Sequence, residues 1–145
     1  MTNKYIRTSS YVLVCIGILA IGLGLFLIFV RPIFVFLPED AKFIGATVSD
    51  VAIFNPALVH WIQFVFRSWG AFVFATGVLI VGIAANGYRR NELWAKWILG
   101  LAGIPSLFTF AVVNYYFGSQ FFLIIAAVGT IFTGVILLSF LHNEE

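Results

Sequence analysis

The sequence predicts an all-α membrane protein: a four-helix transmembrane bundle with short interfacial helices between spans one and two. Three observations carry this. Charges are confined to a few places: Arg7 to Arg31 and Arg67 to Arg89 each enclose an uncharged apolar stretch, and Trp97 to Asn143 holds no Asp, Glu, Lys or Arg. Composition agrees, with 62% hydrophobic and 10% charged residues, where a soluble domain carries about a quarter charged. The mean hydropathy is +1.07. Finally, an uncharged run of roughly 20 residues matches the hydrocarbon thickness of a bilayer at about 1.5 Å of rise per residue. The 145 residues read as one transmembrane domain, with spans at about 10–30, 64–85, 97–116 and 121–141 and an outer segment at about 34–55.

Span one follows Lys4 and Arg7, as the apolar core of a signal peptide would. It is too long for that role, and Arg31-Pro32-Ile33-Phe34 replaces a small-residue cleavage site, so it reads as retained. Ala20 and Gly24 form a small-xxx-small pair, with Gly17 one heptad before Gly24, a spacing that lets helix backbones approach closely in lipid. Pro32 ends the helix, and Arg31 is expected to snorkel to the interface.

In the outer segment, Leu37-Pro38-Glu39-Asp40 reads as a helix start, with Pro in the first position and acids facing the positive end of the dipole. Gly45 would stop that helix, and Ser49 and Asp50 would cap a second over Val51 to Phe54. The segment stays apolar, so both helices are expected to lie across the mouth of the bundle.

Asn55-Pro56 starts a helical pattern that runs through Arg67 to Ala85 and ends near Asn86-Gly87. At about 30 residues it exceeds one crossing, so it would begin outside the hydrocarbon, tilt, or bend near Ser68 and Gly70. A short basic link follows, with Arg89, Arg90, Glu92 and Lys96 flanked by Trp94 and Trp97 as interface anchors. Span three contains Pro105, whose freed carbonyl Ser106 or a neighbouring helix could satisfy. Span four presents Ala126, Gly129, Thr130 and Gly134 as a packing face.

Orientation follows from Lys and Arg near the span ends. Lys4, Arg7, Arg89, Arg90 and Lys96 lie on one side, and Arg31, Lys42 and Arg67 on the other. This predicts an integral membrane protein with both termini cytoplasmic.

The same residues limit the chemistry. A net charge of +2 gives no argument for nucleic acid. Cys15, the only cysteine, excludes an internal disulfide and a dithiol redox pair and reads as a small apolar residue. His60 and His142 fall at opposite faces and cannot share a metal, so no metal site and no catalytic residue are assigned. Nothing requires an enzyme, and no cofactor is assigned, although a quinone or a bound lipid remains open. Arg67 stands out because it lies inside a helical pattern rather than in a link. It shares a helix face with His60 and Gln63, at i, i+3 and i+7, continued by Gly70, Ala71 and Phe74. A charge at membrane depth faces the bundle interior and needs a partner. Glu39 and Asp40 are the candidates, so Glu39, Asp40, His60, Gln63 and Arg67 form the candidate ligand-binding set. The alternative is a structural ion pair at the membrane boundary. Asn114, Tyr115 and Tyr116 read as an aromatic belt or as further lining of that mouth.

Leu37-Pro38-Glu39-Asp40-Ala41-Lys42-Phe43-Ile44-Gly45, then Leu58-Val59-His60-Trp61-Ile62, Trp69-Gly70 and Glu92-Leu93-Trp94-Ala95, resemble a family of small four-span bacterial membrane proteins. That family has an LPEDxxFxG signature and is DoxX-like. The resemblance covers about 37–140 and implies association with quinone-linked respiratory enzymes. The family pattern carries a His-Asp-Arg triplet before the aromatic-Gly pair. Here Phe64-Val65-Phe66-Arg67 stands in that place, so His and Asp are missing, only Arg67 corresponds, and no activity that depends on the triplet carries over. Two functions are therefore expected: an accessory or structural subunit packing against other membrane-protein subunits or against itself, or a lipid- or quinone-binding, redox-linked subunit.

Overall fold

The computed structural model describes residues 4–141. They form an all-α bundle in which four helices are long and apolar enough to cross a membrane: Lys4–Val30, Pro56–Tyr88, Leu93–Tyr116 and Phe122–Leu141. The first is α1 (Lys4–Leu25), continued by a π-helical turn over Phe26–Val30. Two short helices follow, α2 (Pro38–Ile44) and α3 (Val48–Phe54). Then come α4 (Pro56–Ile83), which ends in a second π-helical turn at Ala84–Tyr88, α5 (Leu93–Tyr116) and α6 (Phe122–Leu141).

Helices α1 and α4 run antiparallel with their glycines face to face. A Cβ on Gly24 would stand 2.5 Å from the Phe74 amide nitrogen, one on Gly70 2.8 Å from the Gly24 carbonyl oxygen, and one on Gly77 2.8 Å from the Gly17 carbonyl oxygen. The heptad spacing of Gly17 and Gly24 is matched by that of Gly70 and Gly77, and the two backbones touch along both pairs. Gly70 thus serves close approach within a continuous α-helix, so the long pattern from Pro56 is one helix without a bend-forming break.

Helices α5 and α6 pair in the same antiparallel sense through Gly103, which receives the Phe132 ring. The four long helices then meet at one end, that of the basic link. There Ile6, Leu13, Ile16, Ala84, Tyr88, Ala95, Leu99, Phe132 and Ile136 form the buried core. At the opposite end the contacts include aromatic ones: Trp69 meets Phe110 edge-on at 5.8 Å, and Phe43 of α2 lies 4.4 Å from Phe117. The outward faces are apolar and exposed, as at Phe72, Leu101 and Leu123, which suits a lipid surroundings.

Capping explains the outer segment. Pro38 opens α2, and Gly45 closes it at φ +72°. Helix α3 is capped by Thr47 rather than by Ser49: the Asp50 amide donates to the Thr47 hydroxyl, and the Asp50 carboxylate accepts from the Thr47 amide at 2.8 Å. The helix therefore starts three residues earlier than the Ser49-Asp50 reading predicts. The Thr47 hydroxyl also donates to the Asp50 carboxylate at 2.7 Å, and this bond first and the Thr47 amide second hold the Asp50 carboxyl below its ordinary value. In α5 the Ser106 hydroxyl bonds the Ala102 carbonyl at 2.6 Å, one residue past the Leu101 carbonyl that Pro105 leaves without its i+4 donor.

Candidate functional site

The polar groups at the mouth of the bundle converge on Arg31. Its side chain is buried, and it donates to the carbonyl oxygens of Phe34 and Val35, the latter at 2.7 Å. It forms an ion pair with Asp40, and its guanidinium lies 4.2 Å from the centroid of the Phe66 ring. Asp40 also accepts the Leu37 amide at 2.8 Å, so one carboxylate both caps α2 and holds Arg31. Beside this, Gln63 donates from α4 to the Pro32 carbonyl at 3.0 Å. The turn after α1 is thereby tied to α2 by charge and to α4 by an amide and a ring face.

The five candidate residues separate accordingly. Asp40 and Gln63 meet at the Arg31-Pro32 turn, and Glu39 is half-buried in the first turn of α2. His60 and Arg67 are exposed on the outward side of α4. The shared face read from the i, i+3, i+7 spacing divides along its length. Its Gln63–Gly70 edge turns to α1, while its His60–Arg67–Ala71 edge turns away from the bundle. The carboxylate expected to pair with Arg67 pairs instead with Arg31. Arg31 was expected at the interface with its head in the headgroups, and its burial is the main difference at this end. A basic residue followed by Pro, with an acid nine positions on at the start of a short helix, was the available sequence signal. Among the described residues, Arg67 makes no ion pair or side-chain hydrogen bond.

A second polar cluster lies at the link end. Lys96 is fully buried in α5 rather than in the solvated link, and its Nζ donates to the Ser139 carbonyl at 2.7 Å. The hydroxyls of Tyr5 and Tyr88 both reach the Val135 carbonyl at 3.3 Å, and Ser10 donates to the Ala84 carbonyl at 2.7 Å. Four helices are thus cross-linked by side chains bonded to neighbouring backbones. Among the described residues, every buried side-chain nitrogen and oxygen has a hydrogen-bond partner. His142 lies outside the described residues.

A third feature is an apolar cleft of about 740 Å³ between α5 and α6. Its floor is small, with Ala111, Ala126, Gly129 and Gly134, and Tyr115 stands at its mouth end. The small residues of α6 read as a packing face therefore line an open cleft, and Gly134 has open space where a Cβ would stand. None of the five candidate residues lines this cleft.

Fold and site together define a helical bundle with four helices able to cross a membrane and a part-buried ion pair fastening a short helical cap at one end. No protein-family model matches the chain, and neither does a curated protein or a solved structure.

Proposed function

We propose that this chain is an accessory or structural subunit that packs against other membrane proteins. One observation carries the reading. The buried polar side chains at both ends (Arg31, Ser10, Tyr88, Lys96) and the half-buried Asp40 bond to neighbouring backbone or to one another. Ionisable residues in membrane helices more often mark pathways for substrate or protons; here they act as braces for a rigid scaffold with an apolar exterior. The DoxX-like resemblance suggests quinone-linked respiratory enzymes as the partner class. The proposed orientation has both termini cytoplasmic and the α2–α3 cap outside. A reporter fused after Glu145 should be active on the cytoplasmic side, and activity only on the opposite side would reverse it.

A second reading, retention of a lipid or quinone, is supported by the cleft between α5 and α6. Its volume lies within the roughly 300–1,000 Å³ usual for ligand pockets, and its Thr130 hydroxyl is already satisfied by the Ala126 carbonyl at 2.8 Å. That favours an apolar tail. Purification in mild detergent separates the two: a stoichiometric protein partner supports the subunit, and a bound quinone or lipid without one supports the binder.

A further inference from the structure

Arg67 sits on a face of α4 that the bundle leaves bare. Trp61, Phe64, Ser68 and Phe72 follow one another at i, i+3, i+7 and i+11 on that face, with exposures of 61%, 60% and 75% for the three aromatic residues. His60 and Arg67 run along its edge. A lipid-exposed guanidinium among aromatic side chains needs either a headgroup or a carboxylate.

The length of α4 decides between them. Pro56–Tyr88 is one continuous helix of 33 residues, or about 50 Å, against a hydrocarbon core of about 30 Å. With Tyr88 and Arg89 at one boundary, the other falls near Ser68, roughly 20 residues back. Arg67 then stands at headgroup depth, but Pro56 lies roughly 17 Å further out. That protruding part is not polar: Ile53 and Phe54, at the corner where α3 meets α4, are 84% and 85% exposed. Sinking the corner into lipid would carry Arg67 towards the bilayer centre. Lipid alone therefore cannot cover the corner and satisfy the arginine together. A second copy pairing two-fold through this face would bring two Arg67 cations into one interface, and Trp61, Phe64, Ser68 and Phe72 offer no carboxylate to either.

We infer that the Trp61–Phe64–Phe72 face of α4, with the Ile53–Phe54 corner above it, is the docking surface for a different membrane protein. That partner presents a transmembrane helix with a carboxylate at the depth of Arg67 and an apolar surface outside the bilayer. The inference rests on the accessory-subunit reading and specifies which face serves it.

The test is site-specific photocrosslinking of the full chain in its native membrane. A benzophenone side chain replaces Phe64 on this face and, separately, Leu123 on α6, with the adducts identified by mass spectrometry. One protein should crosslink from position 64, falling at least tenfold in Arg67→Glu and returning when an acid in its crosslinked helix is changed to Arg. Adducts from position 64 that are only lipid or a second copy, or that ignore Arg67→Glu, overturn the inference. Protein adducts from position 123 alone also overturn it but leave the subunit reading standing. Absence of protein adducts from either position would sink both.

Discussion

The Arg31 guanidinium lies 4.2 Å from the centroid of the Phe66 ring while its charge is met by Asp40. Phe66 is the direct neighbour of Arg67, yet the two side chains point in different directions, one covering a buried cation and the other exposed. Consecutive helical residues are separated by about 100° around the axis, so two arginines close to one membrane boundary acquire different roles. Arg31 fastens the cap to the bundle, and Arg67 is free to meet something outside it.

Removing one member of the Arg31–Asp40 pair strands the other. Arg31→Met should destabilise the protein by about 3 kcal/mol, and Asp40→Asn by less, because Asp40 is partly solvated and keeps its bond to the Leu37 amide. The double variant Arg31→Met/Asp40→Leu should lose less than the sum, since no charge is left unmatched. Thermal unfolding in detergent measures all three. Additive losses would mean that the pair is not coupled.

The glycine contacts make a sharper contrast. A Cβ at Gly24 would meet the Phe74 backbone at 2.5 Å, whereas at Gly22 it would meet nothing within 4 Å. Gly24→Ala must force α1 from α4 and should cost about 1–3 kcal/mol, the range for overpacking. Gly22→Ala should be neutral or slightly stabilising. Equal melting temperatures for the two variants would contradict the close approach.

These two sites also mark what was legible in the sequence. The helical class and the packing role of Gly17 and Gly24 follow from local spacing, because apolar period and small-residue heptads are properties of one helix. The partner of a charge is not. Asp40 lies near Arg31 in the chain, but whether it meets Arg31 or Arg67 depends on how the turn at Pro32 directs α2. Lys96 illustrates the same limit. Next to two arginines and a glutamate it reads as part of a polar link, yet α5 begins at Leu93, and three residues of helix turn it into the core. The Ala126–Gly134 face was visible as small residues, but its openness depends on how α5 and α6 diverge around Phe132.

Lys96 should tolerate a neutral chain of similar length better than a reversed charge. Lys96→Met keeps the apolar stem and loses the bonding of the ammonium, that to the Ser139 carbonyl included, a net loss of about 1–3 kcal/mol. Lys96→Glu sets a buried carboxylate against that carbonyl and should abolish the folded monomer on size exclusion. A well-folded Lys96→Glu protein would show that this end of the bundle admits water.

The cap on α3 should respond to acid. Bonding to Thr47 depresses the Asp50 carboxyl in the folded protein. Its contribution is therefore present above the unfolded value and is lost as pH falls through the folded one. Amide exchange at the start of α3 should quicken on acidification below the ordinary carboxylate range. Asp50→Asn should remove that pH dependence, and a dependence persisting in the variant would assign it to another group.

The joint between α5 and α6 rests on one ring in one gap. A Cβ on Gly103 would stand 2.4 Å from two atoms of the Phe132 ring, and that ring is fully buried. The ring has no solvent-facing alternative, because Phe132 packs within the core shared with Leu99 and Ile136. Gly103→Ala should therefore cost about 1–3 kcal/mol through overpacking. Phe132→Leu alone should also destabilise, by leaving a gap where the ring had been. Combined, the two changes offset one another, as the added methyl enters space that the smaller side chain vacates. The double-mutant cycle should show a favourable coupling of about 0.5–3 kcal/mol. Strictly additive losses would mean that α5 moves away bodily instead of seating the ring, and the cleft on the lipid side of this joint should then widen in Gly103→Ala.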